Sequence, residues 1–469
     1  MMPACCSTRT PPRSSRARSR ASPPMRRCCS PCVARRWRAR RNSPGGARRS
    51  SRWRASSAPP GVRSLMRFCM VTTFYPPYHL GGDAVYVQAL ARAVRRAGHE
   101  VEVVHCEDAF RLGGRVPASL PPEDDGIVVH RLRSAWGALS PLITQQTGRP
   151  GLKRRELEAI LARDFDVIHF HNISLVGGPG VLSLGRARTK LYSLHEHWLL
   201  CPTHIFWKNR ERACDRPTCF SCCLRSGVPP QLWRLGTLIA RELENIDLLF
   251  APSEFTAGRH RDAGISRPIE ILPLFSRFDG VGVNTPVRAG RPRFLFVGRV
   301  TPPKGIRQLV DAFVRLPEYD LDVAGDGELR VALEHEFESA RNIRFLGEVT
   351  ATELPALYAA ARATIVPSLA PETFGLVAVE SFACSTPVLA LEAGGCGEVV
   401  RASNAGVVCD DMDALVVAIH RLAREPRLAE EMGRRGRAAY ETTYNETTHV
   451  RAYLDHVQTL IDAAARRTP

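Results

Sequence analysis

The sequence predicts an α/β protein with two doubly wound domains built on parallel sheets, preceded by an N-terminal tail. From Phe68 onward, short runs rich in β-branched residues alternate with stretches of helical periodicity, which is typical of βαβ units. The same alternation restarts at Arg293, after a Gly- and Pro-containing segment with little periodicity. The roughly 400 residues after the tail are too many for one hydrophobic core, which also favours two domains.

The first 65 residues differ in composition from the rest of the chain. They contain 17 Arg and no Lys, Asp or Glu, whereas the whole chain has a net charge of +18. The remaining 404 residues therefore carry only +1, which excludes the interpretation that the whole protein binds nucleic acid or a membrane surface. The tail is too poor in apolar residues to bury a core, so we expect it to be disordered.

Three origins are open for residues 1–65. The first is a mistaken upstream start codon, since Met66 directly precedes a strand-like run. The segment is otherwise an Arg- and Ser-rich transit peptide, or a basic arm that contacts nucleic-acid phosphates. It lacks the apolar segment of a secretory signal, and the chain has no apolar run long enough to span a membrane. We therefore expect a cytoplasmic protein, at most peripheral at the inner membrane face.

The N-terminal domain is expected to cover residues 66–278. A helix is predicted over Ala84–Ala97, which Gly98 can end, and Ser253 is expected to cap the helix that follows the last strand. The predicted strands are Phe68–Thr73, Val101–His105, Ile127–Arg131, Val167–Phe170, Lys190–Leu194 and Ile246–Ala251.

A linker over residues 279–292 is expected to lead into a second domain over residues 293–440. Its predicted helices are Gly305–Leu316 and Glu328–Ser339, and its predicted strands are Arg293–Val297, Leu321–Ala324, Ile343–Leu346, Thr364–Val366, Pro387–Leu391 and Gly406–Val408. A last helix within residues 441–469 is expected to pack back across both domains. Two such domains bind ligands in the cleft between the carboxyl ends of their strands.

A glycine pair follows the first predicted strand. Gly81 and Gly82 permit close approach of the backbone, and the helix that starts after them offers amide groups to an anion. The spacing is not G-x-G-x-x-G, which argues against a nicotinamide-dependent dehydrogenase. The pair by itself fits either a ligand-binding loop or an ordinary turn.

Four charged residues in the second half point to a bound phosphate. Glu372 and Glu380 lie on either side of the expected start of an apolar helix, whose first amides form an anion site. A nucleotide sugar has this order of groups, with hydroxyls on both sides of a diphosphate. Arg299 and Lys304 follow a strand at the edge where α/β proteins bind ligands, and an Arg fork suits phosphate. The alternative is that all four are unrelated surface charges.

Together the motifs resemble those of the retaining glycosyltransferases of GT-B fold in family GT4 (glycosyltransferase group 1). The resemblance implies transfer of a hexosyl group from a nucleotide-diphosphate sugar to an acceptor hydroxyl, in cell-surface polysaccharide or glycolipid assembly, with no cofactor required for catalysis. It runs from about Met66 to the C terminus and rests on Gly81-Gly82, Pro252–Phe255, Gly298-Arg299, Lys304-Gly305, Ala324–Gly327, Phe345–Gly347, Pro367-Ser368, Glu372–Glu380, Pro387-Val388, Gly394-Gly395 and Glu398–Val400.

The resemblance also assigns roles to individual residues. Arg299 and Lys304 would neutralise the diphosphate, Glu372 would bond sugar hydroxyls and Glu380 the ribose, and the backbone near Val349 would face the base. The implied catalytic residues are His195, Arg299, Lys304 and Glu372. The implied donor-binding residues are Gly81, Gly82, Gly298, Arg299, Lys304, Val349, Glu372, Gly375, Leu376 and Glu380.

The N-terminal domain is expected to hold the acceptor, a saccharide or a lipid-linked molecule, and no nucleic-acid partner is expected. His169, His171 and Asn172 lie at a strand end and are placed near the acceptor, whereas a structural role is favoured for His197.

A cysteine-rich insert at residues 201–223 follows His195. Cys201, Cys214, Cys219 and Cys222 form a candidate ligand set for a structural zinc ion, because four thiolates can enclose it tetrahedrally. Unliganded thiols and a redox or disulfide role stay open as alternatives.

Two other functions compete with transfer. A nucleotide-sugar epimerase of the same architecture would convert the donor without an acceptor. A non-catalytic binding protein would use its basic tail on nucleic acid.

Overall fold

The computed structural model describes residues 65–79, 81–112, 126–276, 278 and 290–467. The predictions for residues 1–64 and for linker residues 279–289 lie outside the described residues.

The first sheet is formed by the N-terminal half of the chain. In the described residues it has seven parallel strands in the order β3-β2-β1-β4-β5-β8-β9. These are β1 (Arg67–Val71), β2 (Glu100–Cys106), β3 (Val128–Leu132), β4 (Phe165–Phe170), β5 (Ala187–Ser193), β8 (Leu248–Ala251) and β9 (Ile269–Ile271). A separate antiparallel pair, β6 (Trp207–Lys208) and β7 (Arg212–Ala213), lies in the cysteine-rich insert.

The second sheet repeats this winding in the C-terminal half. Its six described strands are parallel and follow the order β12-β11-β10-β13-β14-β15. In both sheets the strand order reverses beside the first strand, and ligands of doubly wound proteins bind at that reversal. The strands are β10 (Arg293–Val297), β11 (Asp320–Ala324), β12 (Ile343–Gly347), β13 (Ala363–Val366), β14 (Val388–Leu391) and β15 (Gly406–Cys409).

Helices cover both faces of each sheet, so each sheet has two apolar clusters. The N-terminal helices are α1 (Gly82–Arg96), α2 (Glu107–Arg111), α3 (Leu139–Thr147), α4 (Arg154–Leu161), α5 (Cys219–Arg225), α6 (Leu238–Leu243) and α7 (Glu254–Asp262). The later ones are α8 (Ile306–Val314), α9 (Arg330–Glu336), α10 (Leu354–Ala360), α11 (Leu376–Ala383), α12 (Gly395–Ser403), α13 (Met412–Arg424), α14 (Pro426–Ala439) and α15 (Glu446–Arg467).

The last helix, α15, returns to the N-terminal sheet. Its buried residues Val450, Tyr453 and Val457 belong to the same apolar cluster as Phe68 of β1. The π-helical turn over 440–444 just before it packs instead on the second sheet through Tyr440 and Tyr444. The chain therefore crosses from one sheet to the other at residue 445.

The predicted fold class is confirmed, and the predicted strands differ from the observed ones by at most three residues at either end. The predicted cap is also present, because the Ser253 hydroxyl accepts a hydrogen bond from the Thr256 amide at 3.1 Å. Strand β9 and the β6-β7 pair were not predicted, since they are only two or three residues long. Across the described part of the chain, no helix combines the length and apolar character needed to cross a membrane.

Candidate active site

Two of the four charged residues predicted from the sequence, Lys304 and Glu372, meet in the loops that follow β10 and β13. Lys304 Nζ lies 2.7 Å from Glu372 Oε1, and the Ser368 hydroxyl donates to the same oxygen. The turn before Lys304 is held on the β13 loop, because the amides of Leu369 and Ala370 both donate to the Pro303 carbonyl, at 2.9 and 3.1 Å. The lysine is thereby positioned by backbone contacts as well as by its ion pair.

Gly305 is what allows this turn to lie so close to the β13 loop. Its φ is +68°, and a Cβ atom there would lie 1.9 Å from the Pro367 carbonyl oxygen. No side chain fits at that distance, and the left-handed backbone also favours glycine. The Lys304–Glu372 pair therefore depends on the residue that follows the lysine.

Glu372 is ionised in this setting. Burial disfavours its charged form, but Lys304, the Ser368 hydroxyl and Arg299 outweigh burial and hold its pKa below the usual value. Arg299 is exposed and reaches Glu372 only through its charge. The cluster thus has a fixed carboxylate, a paired lysine and an arginine directed to solvent.

Helix α11 begins at Leu376, four residues after Glu372, and supplies a second group of donors. Its N-cap residue is Gly375, with φ +97°, and a Cβ there would lie 2.6 Å from the Cys396 Cβ. The first amides of a helix have no partner within the helix and attract anions. These amides lie between Glu372 and Glu380 in the sequence, as predicted.

Glu380 lies one turn inside α11 and is buried, and one of its carboxylate oxygens accepts a hydrogen bond from Tyr358 Oη at 2.8 Å. Val349 follows the end of β12 and packs at the margin of the same apolar cluster as Tyr358. The remaining predicted glycine, Gly298, follows β10 with φ +151° and donates to the Ala324 carbonyl. The structure thus keeps Glu380 and Val349 on the same side of the second sheet as the α11 N-terminus.

The glycine pair of the N-terminal half faces α11 across the cleft. A Cβ on Gly82 would lie 3.9 Å from Leu376 Cδ2, and Gly82 is the first residue of α1. Next to it, Asp83 Oδ2 accepts a hydrogen bond from Asn172 Nδ2 at 3.2 Å. The N-termini of two helices, one from each half, therefore approach the same space.

His195 lies beside this space, after β5. The Thr373 hydroxyl donates to the His195 carbonyl at 2.9 Å, which connects the histidine to the residue next to Glu372. Its Nε2 lies 2.9 Å from Nδ1 of His171, so one ring donates to the other. Burial lowers the pKa of His195 to about 4, although Asp83 acts in the opposite direction. The ring is therefore neutral at pH 7.

The segment around Thr373 also holds the two halves together. The Thr373 carbonyl accepts hydrogen bonds from the hydroxyls of Ser253 at 2.6 Å and Thr256 at 2.9 Å. Glu398 of α12 accepts from the amides of Glu254 and Phe255, both at 2.9 Å, and so caps α7 from the other half. These contacts set the width of the cleft at the site.

Other histidines predicted near the acceptor are part of the core. His169 is bonded to Tyr453 Oη at 3.0 Å and to Ser193 Oγ at 2.9 Å, and is 1% exposed. His197 stacks on His260 and packs against Phe206, which fits the structural role favoured for it. His171 lies at the site only as the partner of His195.

The predicted zinc ligands are not assembled. Within the described residues no three or more His, Cys, Asp or Glu side chains are arranged to hold a metal ion, and all ten cysteines described are free. Cys219 is exposed, whereas Cys222 is buried and its Sγ accepts a hydrogen bond from the Asn209 amide. The thiols are still near one another, since Cys222 and Cys219 add to the effect of burial in raising the pKa of Cys223 to about 11. A structural zinc ion stays a prediction, which metal analysis of the purified protein tests.

Sequence reasoning gave no site role to Asp83, Tyr358, Ser368, Thr373 or Glu398, and it placed His171 near the acceptor without its pairing to His195. Ser368, Thr373 and Glu398 belong to motifs that carry the family resemblance, which was the signal that could have found them. The others act through partners far away in the sequence.

Comparisons with known proteins agree with this geometry. The model of the family "Glycosyl transferases group 1" matches residues 284–439, and that of "Glycosyltransferase Family 4" matches residues 80–275. Glycogen synthase of Mycobacterium tuberculosis is 28% identical over 403 residues, which cover 80% of this chain and 89% of the relative. A D-inositol 3-phosphate glycosyltransferase of Pseudarthrobacter chlorophenolicus is 28% identical, covering 76% and 84%.

Two solved structures show the same fold. Sucrose-phosphate synthase from Thermosynechococcus elongatus has a TM-score of 0.67 at 20% identity, covering 85% of this chain and 100% of that one. Anabaena HepE in complex with UDP-glucose has a TM-score of 0.59 at 17% identity, covering 84% and 100%.

Two doubly wound domains that face a cleft between their strand ends define the GT-B fold. More narrowly, the chain belongs to glycosyltransferase group 1, family GT4.

Proposed function

We propose that the protein is a retaining glycosyltransferase that moves a hexosyl group from a nucleotide-diphosphate sugar to an acceptor hydroxyl, in cell-surface polysaccharide or glycolipid assembly. The observation that carries the proposal is the Lys304–Glu372 ion pair of 2.7 Å beside Arg299 and the N-terminus of α11. Each of these groups favours a diphosphate or a sugar hydroxyl, and all of them lie at one cleft edge.

The donor would lie along the second half of the protein. The amides of Gly375 and Leu376 and the charges of Arg299 and Lys304 would bind the diphosphate, where negative charge grows as the leaving group departs. Glu372, held ionised, would accept hydrogen bonds from sugar hydroxyls. Further along, Glu380 would bind the ribose, and the backbone near Val349 would face the base.

The acceptor would enter from the N-terminal half. Gly82 permits close approach of the backbone beside Leu376, and neutral His195 can exchange a hydrogen bond with a hydroxyl of the transferring sugar. Attack from the same face as the leaving group forms the bond from the acceptor oxygen to the anomeric carbon while the bond to phosphate breaks. The acceptor proton passes to the departing phosphate oxygen, so the route needs no protein nucleophile.

The names of the relatives support this donor class. The relatives are called a glycogen synthase and an inositol phosphate glycosyltransferase, and the HepE structure holds UDP-glucose. Two of these names refer to a polysaccharide or to glycosyl transfer, and the third protein binds a nucleotide sugar.

A thermal-shift screen with UDP-, GDP- and ADP-sugars tests the proposal, because a ligand that binds the native state raises Tm by mass action. NMR of the product then reports the anomeric configuration. The proposal expects a shift with at least one donor and retention in the product. Conversion of the donor without an acceptor would instead identify the epimerase, and no shift with any donor would reject both functions.

A further inference from the structure

A cavity lies directly beside the proposed donor site. Its volume is about 650 Å³, and it is bounded by helix α3, by the segment from Trp198 to Gln231 and by the turn at Thr301–Pro303 that leads to Lys304. Arg299 lines it as well. The cavity therefore continues from the phosphate-binding cations into the N-terminal half, where the acceptor is expected.

The wall of this cavity is mostly hydrocarbon. It includes Leu139 and Leu142 of α3, Ile205 and Val228. Several prolines and two tryptophans, Trp198 and Trp207, also belong to it. Among the charged lining residues, Arg210 and Glu328 form an ion pair of 2.7 Å with each other. A sugar chain needs many polar partners, whereas an apolar group gains free energy in proportion to the surface that it removes from water.

The two tryptophans present ring surface, not polar groups, to this cavity. The indole N–H groups of Trp198 and Trp207 bond to nothing in the described part of the chain, but both nitrogens are closed off from solvent, and their residues are only 1% and 7% exposed. A group in the cavity therefore cannot accept a hydrogen bond from either indole. The cavity thus suits an occupant that is mainly apolar.

The apolar wall continues outward onto the surface of α3. Leu139 and Leu142 line the cavity and are 48% and 41% exposed, and Trp136, just before the helix, is 64% exposed. Large apolar side chains exposed together mark a contact site. A chain longer than the cavity would therefore leave it along α3.

We propose that this cavity holds the hydrocarbon chain of a lipid acceptor whose polar head group carries the reacting hydroxyl. Trp198 lies three residues after His195, so a head group at His195 is adjacent to the cavity. The inference rests on the proposed function and narrows its acceptor to amphiphiles.

Binding of n-octyl and methyl β-D-glucopyranoside, below the micelle concentration and by calorimetry, tests the inference. The octyl compound should bind at least about tenfold more tightly, because each buried methylene adds favourable transfer free energy. Leu142→Asp and Leu139→Asp should each remove most of this advantage. Leu152→Asp is the matched control, since Leu152 is 45% exposed and does not line the cavity.

The nucleotide-sugar thermal shift of the same variants separates the two proposals. Leu142→Asp should keep the wild-type donor shift, which also shows that it is folded. Equal binding of methyl and octyl glucoside, or equal effects of Leu142→Asp and Leu152→Asp, would overturn the lipid acceptor while leaving a glycosyltransferase. Absence of a donor shift in the wild type would overturn the proposed function itself.

Discussion

The two halves of the protein share a winding order but differ in the chemistry of their strand ends. The carboxyl ends of β10 and β13 carry Arg299, Lys304 and an ionised Glu372. The ends of β4 and β5 instead carry His171 and His195, whose pKa values burial lowers, so that both rings are neutral at pH 7.

This difference matches the charges of the ligands that the two halves are proposed to bind. A diphosphate keeps its negative charge throughout transfer, so exposed cations and helix amides suit it. An acceptor hydroxyl is neutral, and a buried neutral imidazole can bond it without attracting the diphosphate to the wrong side. The same fold therefore supports two kinds of binding surface through the residues after its strands.

Removing a charged group of the second half is expected to have the largest effect. Lys304→Ala, Arg299→Ala and Glu372→Ala should each lower kcat by about 10²–10³, as loss of an electrostatic donor does. Steady-state kinetics with the donor found in the screen measure this. Arg307→Ala is the control, because Arg307 pairs with Glu336 on the outer surface. Rates near wild type in all three variants would reject the site.

The turn that carries Lys304 should tolerate no side chain at Gly305. Gly305→Ala combines a left-handed backbone with a clash at the Pro367 carbonyl, so we expect a loss of about 3 kcal/mol of stability. Gly264→Ala has φ +88° but nothing within 4 Å of its Cβ, and should cost only about 1 kcal/mol. Melting temperatures of both variants measure the difference in stability. Equal losses would contradict the close contact between Gly305 and the Pro367 carbonyl.

Acid should affect the N-terminal half through its buried histidines. Burial lowers the pKa of His105 to about 3, so the unfolded state binds more protons than the folded state between pH 6.5 and 3. Stability should therefore fall as the pH is lowered through this range, by up to about 1.4 kcal/mol per pH unit for each such histidine.

His105→Phe tests this pH dependence, because the His105 ring lies between Tyr75 and Tyr78 and its nitrogens have no partner among the described residues. The variant should melt near the wild-type temperature at pH 7 and show a shallower decrease towards pH 4. An unchanged slope would show that His105 is protonated as readily in the folded protein as in the unfolded chain.

Removing a contact between the two halves should have the smallest effect on stability and donor binding. Glu398→Ala removes the carboxylate that caps α7, so we expect a loss of about 1 kcal/mol and a donor Kd raised severalfold. Asp411→Ala removes a cap inside the second half, where Asp411 accepts from the Ala414 amide at 2.8 Å. It should cost similar stability without changing Kd. Equal donor affinity in both variants would show that the α7 cap does not set the width of the cleft.

Much of the fold was accessible from the sequence because its signals are local. A β-branched run such as Phe294–Val297 predicts a buried strand, and Ser253 before a helix predicts its cap. The charged residues proposed for the site were also named, since Arg299 and Lys304 follow β10 and Glu372 and Glu380 flank the start of α11. Their partners were not found, because the His171–His195 and Glu398–Phe255 contacts join residues 24 and 143 positions apart.

The amino-acid order alone determined two parallel-sheet halves and the chemistry at the ends of their strands, since hydrophobic periodicity and helix starts depend on neighbouring residues. Only the tertiary structure decided which cations contact Glu372, which histidines are neutral and buried, and where an apolar cavity meets the charged cleft. Those properties depend on burial and on distances between strand ends, and strand ends become neighbours only when the sheet order is established.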